Sequence, residues 1–470
     1  MKNVDRWAYL FAVLAALALA AFSTGCATGD DDDNDDNAPV DDDSVDDDSQ
    51  DDDSQDDDVQ DDDAVDDDST PDDSYINVDP WAEMLPAGTT QAFTAAGQID
   101  GEAVSTGFTW SIEDTGIATV DENGLVTAVA AGVTTLTAAI GDVAGEATVL
   151  VGPDVYVIDV VTGFLMGIDR GNQTAIADLL GGGAIGTVLY DVKNADGRLL
   201  IVDSGDSAPG ISGNEKLLVV DLFDYSLETV PLEQDSPWAV TAFNGYYWVT
   251  GNLDDTLAKI DAETDSRATI YYDLDAGCTP TDVIGVGNYL YVACSGFSWD
   301  FFEYAPGKAL VINPENGAKV TEIALPVNPF RFGLAPNGED LYIVCTGDYD
   351  YNSGTIAQIC TKENVVKDSF ALGQAPGQIG INPEGLAFVA EGMAGNVYVF
   401  DTAGNIVLRG TDDPIVIPDA AWIQAVGAHS NTGDAYVCDS SNGQVYVLNA
   451  TSYSEIFHVS LSNPGGVAFW

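Results

Sequence analysis

The sequence predicts an all-β protein in which a small β-sandwich is followed by a seven-bladed β-propeller and preceded by a disordered, Asp-rich tether. Residues 74 onward alternate short apolar runs with Gly, Asn, Asp and Pro, the pattern of strands separated by tight turns. From residue 153 a unit of about 42 to 52 residues recurs, which is the period of propeller blades. The tether is predicted from the Asp triplets that fill residues 30–73.

The first 26 residues have the order of an export signal. Lys2 and Arg6 precede an apolar run over 7–22, which small residues follow. The run is shorter than the roughly 20 residues that a membrane-spanning helix needs, so we expect a cleaved leader.

The end of this leader, Thr24-Gly25-Cys26, resembles a bacterial lipoprotein signal. The resemblance implies that Cys26 is lipidated and becomes the mature N-terminus. Ser23 stands where that family usually has an aliphatic residue, so cleavage elsewhere, giving a soluble secreted protein, stays an alternative. Ala27 follows in place of the Asp that retains enterobacterial lipoproteins at the inner membrane. By analogy we expect an outer-membrane lipoprotein, either surface-exposed or periplasmic.

Residues 27–73 are predicted to form an expanded linker. Residues 30–73 contain 26 Asp and no Lys or Arg. Such a segment cannot bury enough apolar surface to fold, and its like charges repel one another. A Ca²⁺ site needs six to eight oxygens held in place, and the five-residue Asp repeat lacks the Gly turn of an EF-hand loop. We expect only weak, diffuse Ca²⁺ association and no other cofactor.

The remaining part, residues 74–470, is also acidic. It carries 12 Lys and Arg against 51 Asp and Glu, a net charge of −39. Nucleic-acid binding depends on Lys and Arg that neutralise phosphates, so nucleic acid is excluded as a partner. The same charge disfavours an anionic lipid surface, and contact with the membrane is expected only through the N-terminal lipid.

Residues 74–152 are predicted to form the sandwich. The fragments that carry this prediction are Phe108-Thr109-Trp110-Ser111, Ile117-Ala118-Thr119-Val120, Asp121-Glu122-Asn123-Gly124, Leu125-Val126-Thr127-Ala128 and Thr134-Thr135-Leu136-Thr137. Asn123-Gly124 suits a two-residue hairpin turn, and Trp110 is expected in the core. Together the fragments resemble the bacterial Ig-like domain of group 2. The resemblance implies a spacer or adhesive module on the cell surface.

Residues 153–470 are predicted to form the propeller. First strands open near residues 185, 237, 280, 329, 376, 421 and 464, which gives seven blades, although six or eight remain compatible with the poorly marked first unit. The chain ends after one such strand, Pro464-Gly465-Gly466-Val467-Ala468-Phe469-Trp470, and three strands near residues 155, 164 and 175 stand without a first strand. We therefore expect these four to share one blade, because closure removes exposed sheet edges.

Three repeated fragments within this region resemble YVTN-type propellers. They are Asn382-Pro383-Glu384-Gly385, Pro336-Asn337-Gly338-Glu339 and Val399-Phe400-Asp401-Thr402. NHL and lactonase-like propellers share much of the same pattern. The resemblance implies the fold and a surface or periplasmic location, but no single chemistry, because propellers host many.

Nothing in the sequence indicates a nucleophilic or histidine-based active site. The two histidines, His429 and His458, lack metal-ligand spacing, and no G-x-S-x-G or H-E-x-x-H motif occurs. Among the cysteines, Cys294, Cys345 and Cys438 recur near the end of second strands. Cys278 is predicted to lie beside Cys294, which makes these two the candidate disulfide in an oxidising compartment.

Propeller ligands usually bind where inner strands begin and second strands end, since both sets of loops crowd around the axis. The candidate rim residues from the starts of inner strands are Trp238, Asp282, Arg331, Gln378 and Trp422. Those from the ends of second strands are Asp203, Asn252, Glu391 and Asp439. Trp299 and Tyr349 lie on the longer neighbouring loops.

Three functions are compatible with this sequence. The leading hypothesis is a lipid-anchored, non-enzymatic cell-envelope protein whose propeller binds a protein or glycan. The second is a metal-dependent propeller hydrolase or lactonase that uses Asp203, Glu391 and Asp439 around a divalent ion. The third is a structural surface-layer component.

Overall fold

The computed structural model describes residues 74–470 except residue 131 and the segments 206–212, 264–266, 299–300, 302 and 350–352. The predicted lipidation site at Cys26, the tether at 27–73 and the rim residue Trp299 lie outside the described residues. The described part contains strands and no helix, which confirms the all-β prediction. It therefore offers no helix suited to crossing a membrane.

Residues 74–151 form the sandwich. Its strands are β1 (Tyr75–Asp79), β2 (Ala82–Leu85), β3 (Thr90–Ala92), β4 (Thr94–Ile99), β5 (Glu102–Val104), β6 (Thr109–Ile112), β7 (Ala118–Val120), β8 (Leu125–Ala128), β9 (Gly132–Ile140) and β10 (Val143–Val151). They pair in the orders β1-β4-β5, β2-β10-β9-β6 and β3-β8-β7. Phe93, Val126, Leu136 and Val149 are buried between these sheets. Trp110 packs against this core and is half-buried.

The turn between β7 and β8 differs from the predicted two-residue hairpin. Residues 121–124 separate the strands, and among them only Gly124 has a positive φ, of 81°. The Asp121 carboxylate accepts the backbone N–H groups of Asn123 (2.8 Å) and Leu125 (2.9 Å). This side chain therefore closes a longer turn than the Asn-Gly pair alone predicts.

Residues 153–470 form seven four-stranded blades, which confirms the predicted number. Blade 1 contains β11 (Val155–Asp159), β12 (Leu165–Asp169), β13 (Thr174–Ile176) and β41 (Pro464–Phe469). Blade 2 contains β14 (Leu189–Ala195), β15 (Arg198–Asp203), β16 (Lys216–Asp221) and β17 (Leu227–Pro231). Blade 3 contains β18 (Pro237–Phe243), β19 (Tyr246–Gly251), β20 (Thr256–Asp261) and β21 (Thr269–Asp273). Blade 4 contains β22 (Pro280–Val286), β23 (Tyr289–Cys294), β26 (Gly307–Ile312) and β27 (Lys319–Leu325), with a hairpin of β24 (Phe297–Ser298) and β25 (Glu303–Tyr304) between β23 and β26. Blade 5 contains β28 (Pro329–Leu334), β29 (Asp340–Cys345), β30 (Thr355–Cys360) and β31 (Val365–Ala371). Blade 6 contains β32 (Pro376–Ile381), β33 (Leu386–Glu391), β34 (Asn396–Asp401) and β35 (Ile406–Arg409), and the short strand β36 (Ile415–Val416) also pairs with β34. Blade 7 contains β37 (Ile423–Ala428), β38 (Ala435–Asp439), β39 (Gln444–Leu448) and β40 (Glu455–Ser460).

The ring closes as predicted, through pairing of the last strand with the first strand of the propeller. In blade 1, β41 is antiparallel to β11, with Tyr156 opposite Ala468. The inner strand of blade 2 begins at Leu189, and not near residue 185 as predicted. The residues before it form a loop, because the backbone N–H groups of Thr187 (3.0 Å) and Val188 (2.9 Å) donate to the Asp203 carboxylate.

One end of the propeller is built from a repeated turn between the third and fourth strand of each blade. Each of these turns contains a residue with positive φ, namely Gln173, Tyr225, Arg267, Gly317, Asn364, Asn405 and Tyr453. Two of them tie neighbouring blades together. The Tyr291 hydroxyl donates to Asn364 Oδ1 (2.6 Å), and the Tyr342 hydroxyl donates to Asn405 Oδ1 (2.7 Å). We call this the turn end, and the opposite end, where inner strands begin and second strands end, the mouth end.

The sandwich packs against the turn end. Trp81 stacks on Phe223 with ring centroids 5.8 Å apart, and Phe223 packs edge-on against Trp470 at 5.6 Å. The Tyr156 hydroxyl lies 3.5 Å from the sulfur of Met84. The mouth end therefore points away from the sandwich.

Candidate ligand site at the propeller mouth

A β-bulge near the start of the inner strands shapes the mouth. The register shifts just before Asp191 in blade 2, before Asp282 in blade 4 and before Arg331 in blade 5. A bulge adds one residue to a strand and re-aims the side chains beside it. These three charged residues therefore hold equivalent positions on inner strands, which line the propeller axis.

The three side chains form a buried ion-pair cluster across the axis. Arg331 Nη1 lies 3.3 Å from Asp282 Oδ1 and 3.6 Å from Asp191 Oδ2. Asp191 Oδ1 is also 3.7 Å from the ammonium of Lys193, which is more exposed. Arg331 and Asp282 are 3% exposed and Asp191 is 6% exposed. We call Asp191, Lys193, Asp282 and Arg331 the axial cluster.

Backbone groups of the following blades fix both carboxylates of the axial cluster. Asp282 Oδ2 accepts the N–H of Phe332 at 2.7 Å, and Asp191 Oδ2 accepts the N–H of Val240 at 3.1 Å. Burial raises the pKa of Asp282, whereas Arg331 and Lys193 oppose that rise. Removing one partner of such a pair leaves the other charge buried without compensation, which costs far more than the pair contributes.

Two aromatic side chains stack near the starts of the neighbouring inner strands, and one of them, Tyr190, directly precedes Asp191 in β14. Tyr190 and Trp238, in the bulges of blades 2 and 3, stack with ring centroids 4.1 Å apart, and both are half-buried. Burial raises the pKa of the Tyr190 hydroxyl. Among the described residues, the indole Nε1 of Trp238 and the Nε of Arg331 are buried donors without a hydrogen-bond partner. The mouth thus combines an aromatic stack with N–H donors that no described protein group satisfies.

The acidic residues at the ends of second strands have a different role. Asp203 accepts the N–H of Thr187, Val188 and Gly205. Glu391 accepts the N–H of Gln374 (3.0 Å) and Ala375 (2.8 Å), and the carboxylate of Asp439 accepts the N–H of Ser441 (3.0 Å). All three are at most 1% exposed. Each carboxylate closes a loop of its own blade.

The metal arrangement proposed for Asp203, Glu391 and Asp439 is therefore not formed. The described residues contain no group of three or more His, Cys, Asp or Glu side chains placed to hold a metal ion. Asn252, the fourth residue of this set, donates its side-chain N–H to the carbonyl of Pro280 at 2.9 Å. It ties blade 3 to blade 4 and does not face the mouth as a free group.

The remaining rim residues are placed around the mouth without joining the axial cluster. Trp422 is half-buried and donates its indole N–H to Gln424. Gln378 is half-buried on the inner strand of blade 6. Tyr349 packs against Tyr304 of the blade 4 hairpin, with centroids 6.4 Å apart. Its backbone is left-handed, with φ of 63°.

The candidate disulfide between Cys278 and Cys294 is formed and lies at the mouth end of blade 4. Cys345 and Cys438 are buried free thiols, and burial raises the pKa of Cys438 to about 12. Cys294 and Cys345 lie opposite the first residue of the inner strand, whereas Cys438 lies opposite Ala425, two residues further along. The three cysteines therefore do not share one position.

His429 belongs to a second buried cluster, at the turn end. Its Nε2 lies 3.1 Å from Asp154 Oδ2, and its Nδ1 accepts the N–H of Asn431 at 3.1 Å. Arg170 Nε lies 3.3 Å from the same Asp154 oxygen. Both ring nitrogens of His429 are therefore engaged in hydrogen bonds. We call Asp154, Arg170 and His429 the seam cluster, since it joins blades 1 and 7.

The second histidine, His458, is exposed and pairs with Glu455 at 2.7 Å.

Sequence reasoning missed Tyr190, Asp191 and Lys193. The available signal was positional, because Asp191 is the third residue of its inner strand, as Asp282 and Arg331 are of theirs. The inner strand of blade 2 was predicted to open near residue 185, before its actual start at Leu189. This error hid the equivalence of the three positions.

Comparisons with known proteins agree with this architecture. The model of the bacterial Ig-like domain, group 2, matches residues 74–151. A 6-phosphogluconolactonase-like protein from Bacteroides uniformis is similar to this chain with a TM-score of 0.53 at 10% identity, covering 67% of this chain and 98% of that one. A quinoprotein alcohol dehydrogenase-like protein from Bacteroides thetaiotaomicron has a TM-score of 0.50 at 14% identity, covering 84% and 99%.

A functionally unknown protein from Desulfotomaculum acetoxidans has a TM-score of 0.50 at 11% identity, covering 68% of this chain and 99% of that one. No curated protein matches the sequence. At these identities the structural similarities show the fold alone, one that enzymes and binding proteins share. Residues 74–151 thus match the bacterial Ig-like domain of group 2, and the chain continues after them as a seven-bladed β-propeller.

Proposed function

We propose that this protein is a non-enzymatic display protein of the bacterial cell envelope, whose propeller mouth binds a glycan. The observation that carries the proposal is the Tyr190–Trp238 stack at the mouth, together with two buried N–H donors, on Trp238 and Arg331, that lack described partners. An indole N–H and a guanidinium N–H can only donate, so the ligand must supply acceptors. Sugar hydroxyl and ring oxygens do so, and their apolar ring faces suit an aromatic wall.

The charge of the molecule supports a neutral glycan over an acidic one. Arg331 is already bracketed by Asp282 and Asp191, and residues 74–470 carry a net charge of −39. The non-enzymatic assignment is supported by the engagement of the mouth carboxylates in their own loops and by the position of His429 at the opposite end. Ligand sites usually combine an apolar wall with a few fixed polar groups, as here.

The test is a glycan array followed by calorimetry on the full chain. Trp238→Phe keeps a ring for stacking but loses the N–H, and we expect affinity to fall by up to about tenfold, as for one lost hydrogen bond. Trp238→Ala should weaken binding further. Trp81→Phe, at the turn end, is the matched control and should bind as the wild type does. No glycan binding, or an unchanged Trp238→Phe variant, would contradict the proposal.

A protein ligand is the alternative outcome of the same series. Capture of an envelope protein that depends on Trp238, without glycan binding, would replace the glycan by a protein partner.

Envelope display rests on lipidation of Cys26, which we propose from the leader sequence. Labelled palmitate should be incorporated into the wild-type chain and not into Cys26→Ser. The variant should move from the membrane to the soluble fraction. Equal labelling of both chains would contradict lipidation at Cys26, and it would have no bearing on the proposed glycan site.

A further inference from the structure

The Ig-like domain and the propeller share a hydrophobic core. Met84 of β2 and Leu150 of β10 are 3% and 2% exposed. They belong to the same buried cluster as Tyr156 of β11 and Ala468 of β41. Domains of one chain are expected to move relative to each other unless a large hydrophobic interface joins them. Here side chains of the sandwich are part of the core of blades 1 and 2, which disfavours such movement.

The connection between the two modules is tied at both of its ends. Only residues 152–154 separate β10 from β11. The backbone N–H of Gly152 donates to the carbonyl of Leu85 in the sandwich at 3.1 Å. The carbonyl of Asp154 accepts the N–H of Trp470, which follows β41, at 3.0 Å. Between them Pro153 has a fixed φ, so the connection is poorly suited to act as a hinge.

The repeated turns of the turn end show that the propeller is adapted to this contact. Two positions before the residue with positive φ, blade 1 has Gly171 and blade 2 has Phe223. Phe223 stacks on Trp81 of the sandwich, and a Cβ at Gly171 would lie 2.2 Å from the carbonyl oxygen of Ala87. In blade 3 this position is residue 265, outside the described part. The other four blades have exposed side chains there, namely Glu315, Lys362, Ala403 and Thr451.

The sandwich contacts both strands that close the ring. On β11, the Tyr156 hydroxyl lies 3.5 Å from the sulfur of Met84. At the end of β41, Trp470 packs against Phe223, which Trp81 covers. Since β11 and β41 form the closing pair, their separation would also disturb the docked sandwich. We propose that the Ig-like domain is a clamp on ring closure and not a hinged spacer, and that it holds the mouth in a fixed direction.

The experiment is hydrogen exchange of the full chain, with Gly171→Ala as the test variant. Blade 6 has an alanine at the equivalent turn position, Ala403, so the turn itself accepts this residue. In blade 1 the added methyl group meets the Ala87 carbonyl of the sandwich. We expect exchange in β2, β11 and β41 to quicken by about tenfold, as for an overpacked contact. Exchange in β32, β33 and β34 should stay as in the wild type.

Gly404→Ala is the matched control, because it makes the same change in the corresponding turn of blade 6. Its added methyl group would meet only the Ile406 side chain, at 3.3 Å, and exchange in β11 and β41 should not change. If Gly171→Ala does not fold, Trp81→Ala replaces it, since it removes the stack on Phe223 from the sandwich side. The same strands should then exchange faster.

Two results would overturn the proposal. The first is faster exchange confined to β2, with β11 and β41 unchanged, or an equal effect of Gly404→Ala. The second is thermal unfolding of the wild type in which the sandwich melts separately while β11 and β41 stay protected. Neither result bears on the glycan site, which lies at the other end of the propeller.

Discussion

The axial cluster at the mouth end and the seam cluster at the turn end both hold a buried aspartate against an arginine, yet they connect different parts of the ring. The seam cluster joins Asp154, just before β11, to His429 of blade 7, where the ring closes. The axial cluster joins blades 2, 4 and 5 across the axis. The Ig-like domain packs at the end that holds the seam cluster, whereas the mouth end is clear of it.

The two clusters therefore differ in whether closure of the ring accounts for them. A closed ring needs a seam, and the seam cluster lies beside the pairing of β11 with β41. No strand pairing requires a charge cluster on the axis, and strand hydrogen bonds already hold each blade. Buried polar groups at such a position either specify the packing or serve a ligand, and the unpartnered donors of Trp238 and Arg331 favour the second role.

The largest expected effect comes from breaking the axial cluster. Arg331→Met would leave Asp282 buried without its arginine and Asp191 with Lys193 alone, and should lower the free energy of unfolding by about 3–5 kcal/mol. Guanidinium unfolding of the full chain measures this. The control is Arg198→Met, because Arg198 pairs with Asp221 at 3.9 Å on the surface, where a pair contributes at most about 1 kcal/mol. Equal losses in both variants would show that the axial pair is not buried as described.

A covalent link also holds the mouth end. The Cys278–Cys294 disulfide closes a loop with a sequence separation of 16, and a loop of this size stabilises a fold by about 3 kcal/mol through the unfolded chain. A Cys278→Ala/Cys294→Ala double variant should lose that amount. Reductant should destabilise the wild type and leave the double variant unchanged. A wild type insensitive to reductant would mean that the two cysteines stay reduced.

The seam cluster should contribute less, because Arg170 is partly solvated. Asp154→Asn removes the charge that Arg170 and His429 contact, and should cost about 1.5–3 kcal/mol, as for hydrogen bonds to a charged group. Hydrogen exchange should quicken most in β11 and β41. The control is Asp413→Asn, in an exposed pair with Arg409, which should change little. Faster exchange spread evenly over all blades would argue against a specific role at the seam.

The smallest effect is a pH dependence at the axial cluster. Because burial raises the pKa of Asp282, the folded protein holds that proton more tightly than the unfolded chain. The resulting stability is complete below the ordinary aspartate pKa of about 3.9 and is lost as the pH rises through the folded pKa. Acidification from pH 7 towards 4 should therefore stabilise the wild type relative to Asp282→Asn. If acidification instead destabilises the wild type relative to Asp282→Asn, the attraction of Arg331 outweighs the effect of burial on the pKa of Asp282.

Much of the fold could be predicted because its signals are local. Turn residues, strand alternation and the recurring unit gave the blade number, and the single strand at the chain end predicted the closure of blade 1. The Cys278–Cys294 pair followed from adjacency within one blade. The start of blade 2 was misplaced because the loop before Leu189 is held by Asp203, which lies 14 residues later in the chain.

The candidate site was predictable only in part. Trp238, Asp282 and Arg331 were identified from their positions at the starts of inner strands. The acids Asp203, Glu391 and Asp439 were identified by the same argument, yet they close loops through backbone N–H groups. A sequence cannot distinguish these roles, because an aspartate at a strand end is suited both to capping a loop and to facing a ligand.

The sequence by itself determined the all-β class, the order of modules, the number of blades and the end of the propeller on which to look for a ligand. These depend on periodicity and turn chemistry, which act between residues close in the chain. The tertiary structure decided which charges meet across the axis, which side chains stack at the mouth and which carboxylates close loops of their own blade. Those contacts join residues up to 140 positions apart, as Arg331 and Asp191 show, and only closure of the ring brings them together.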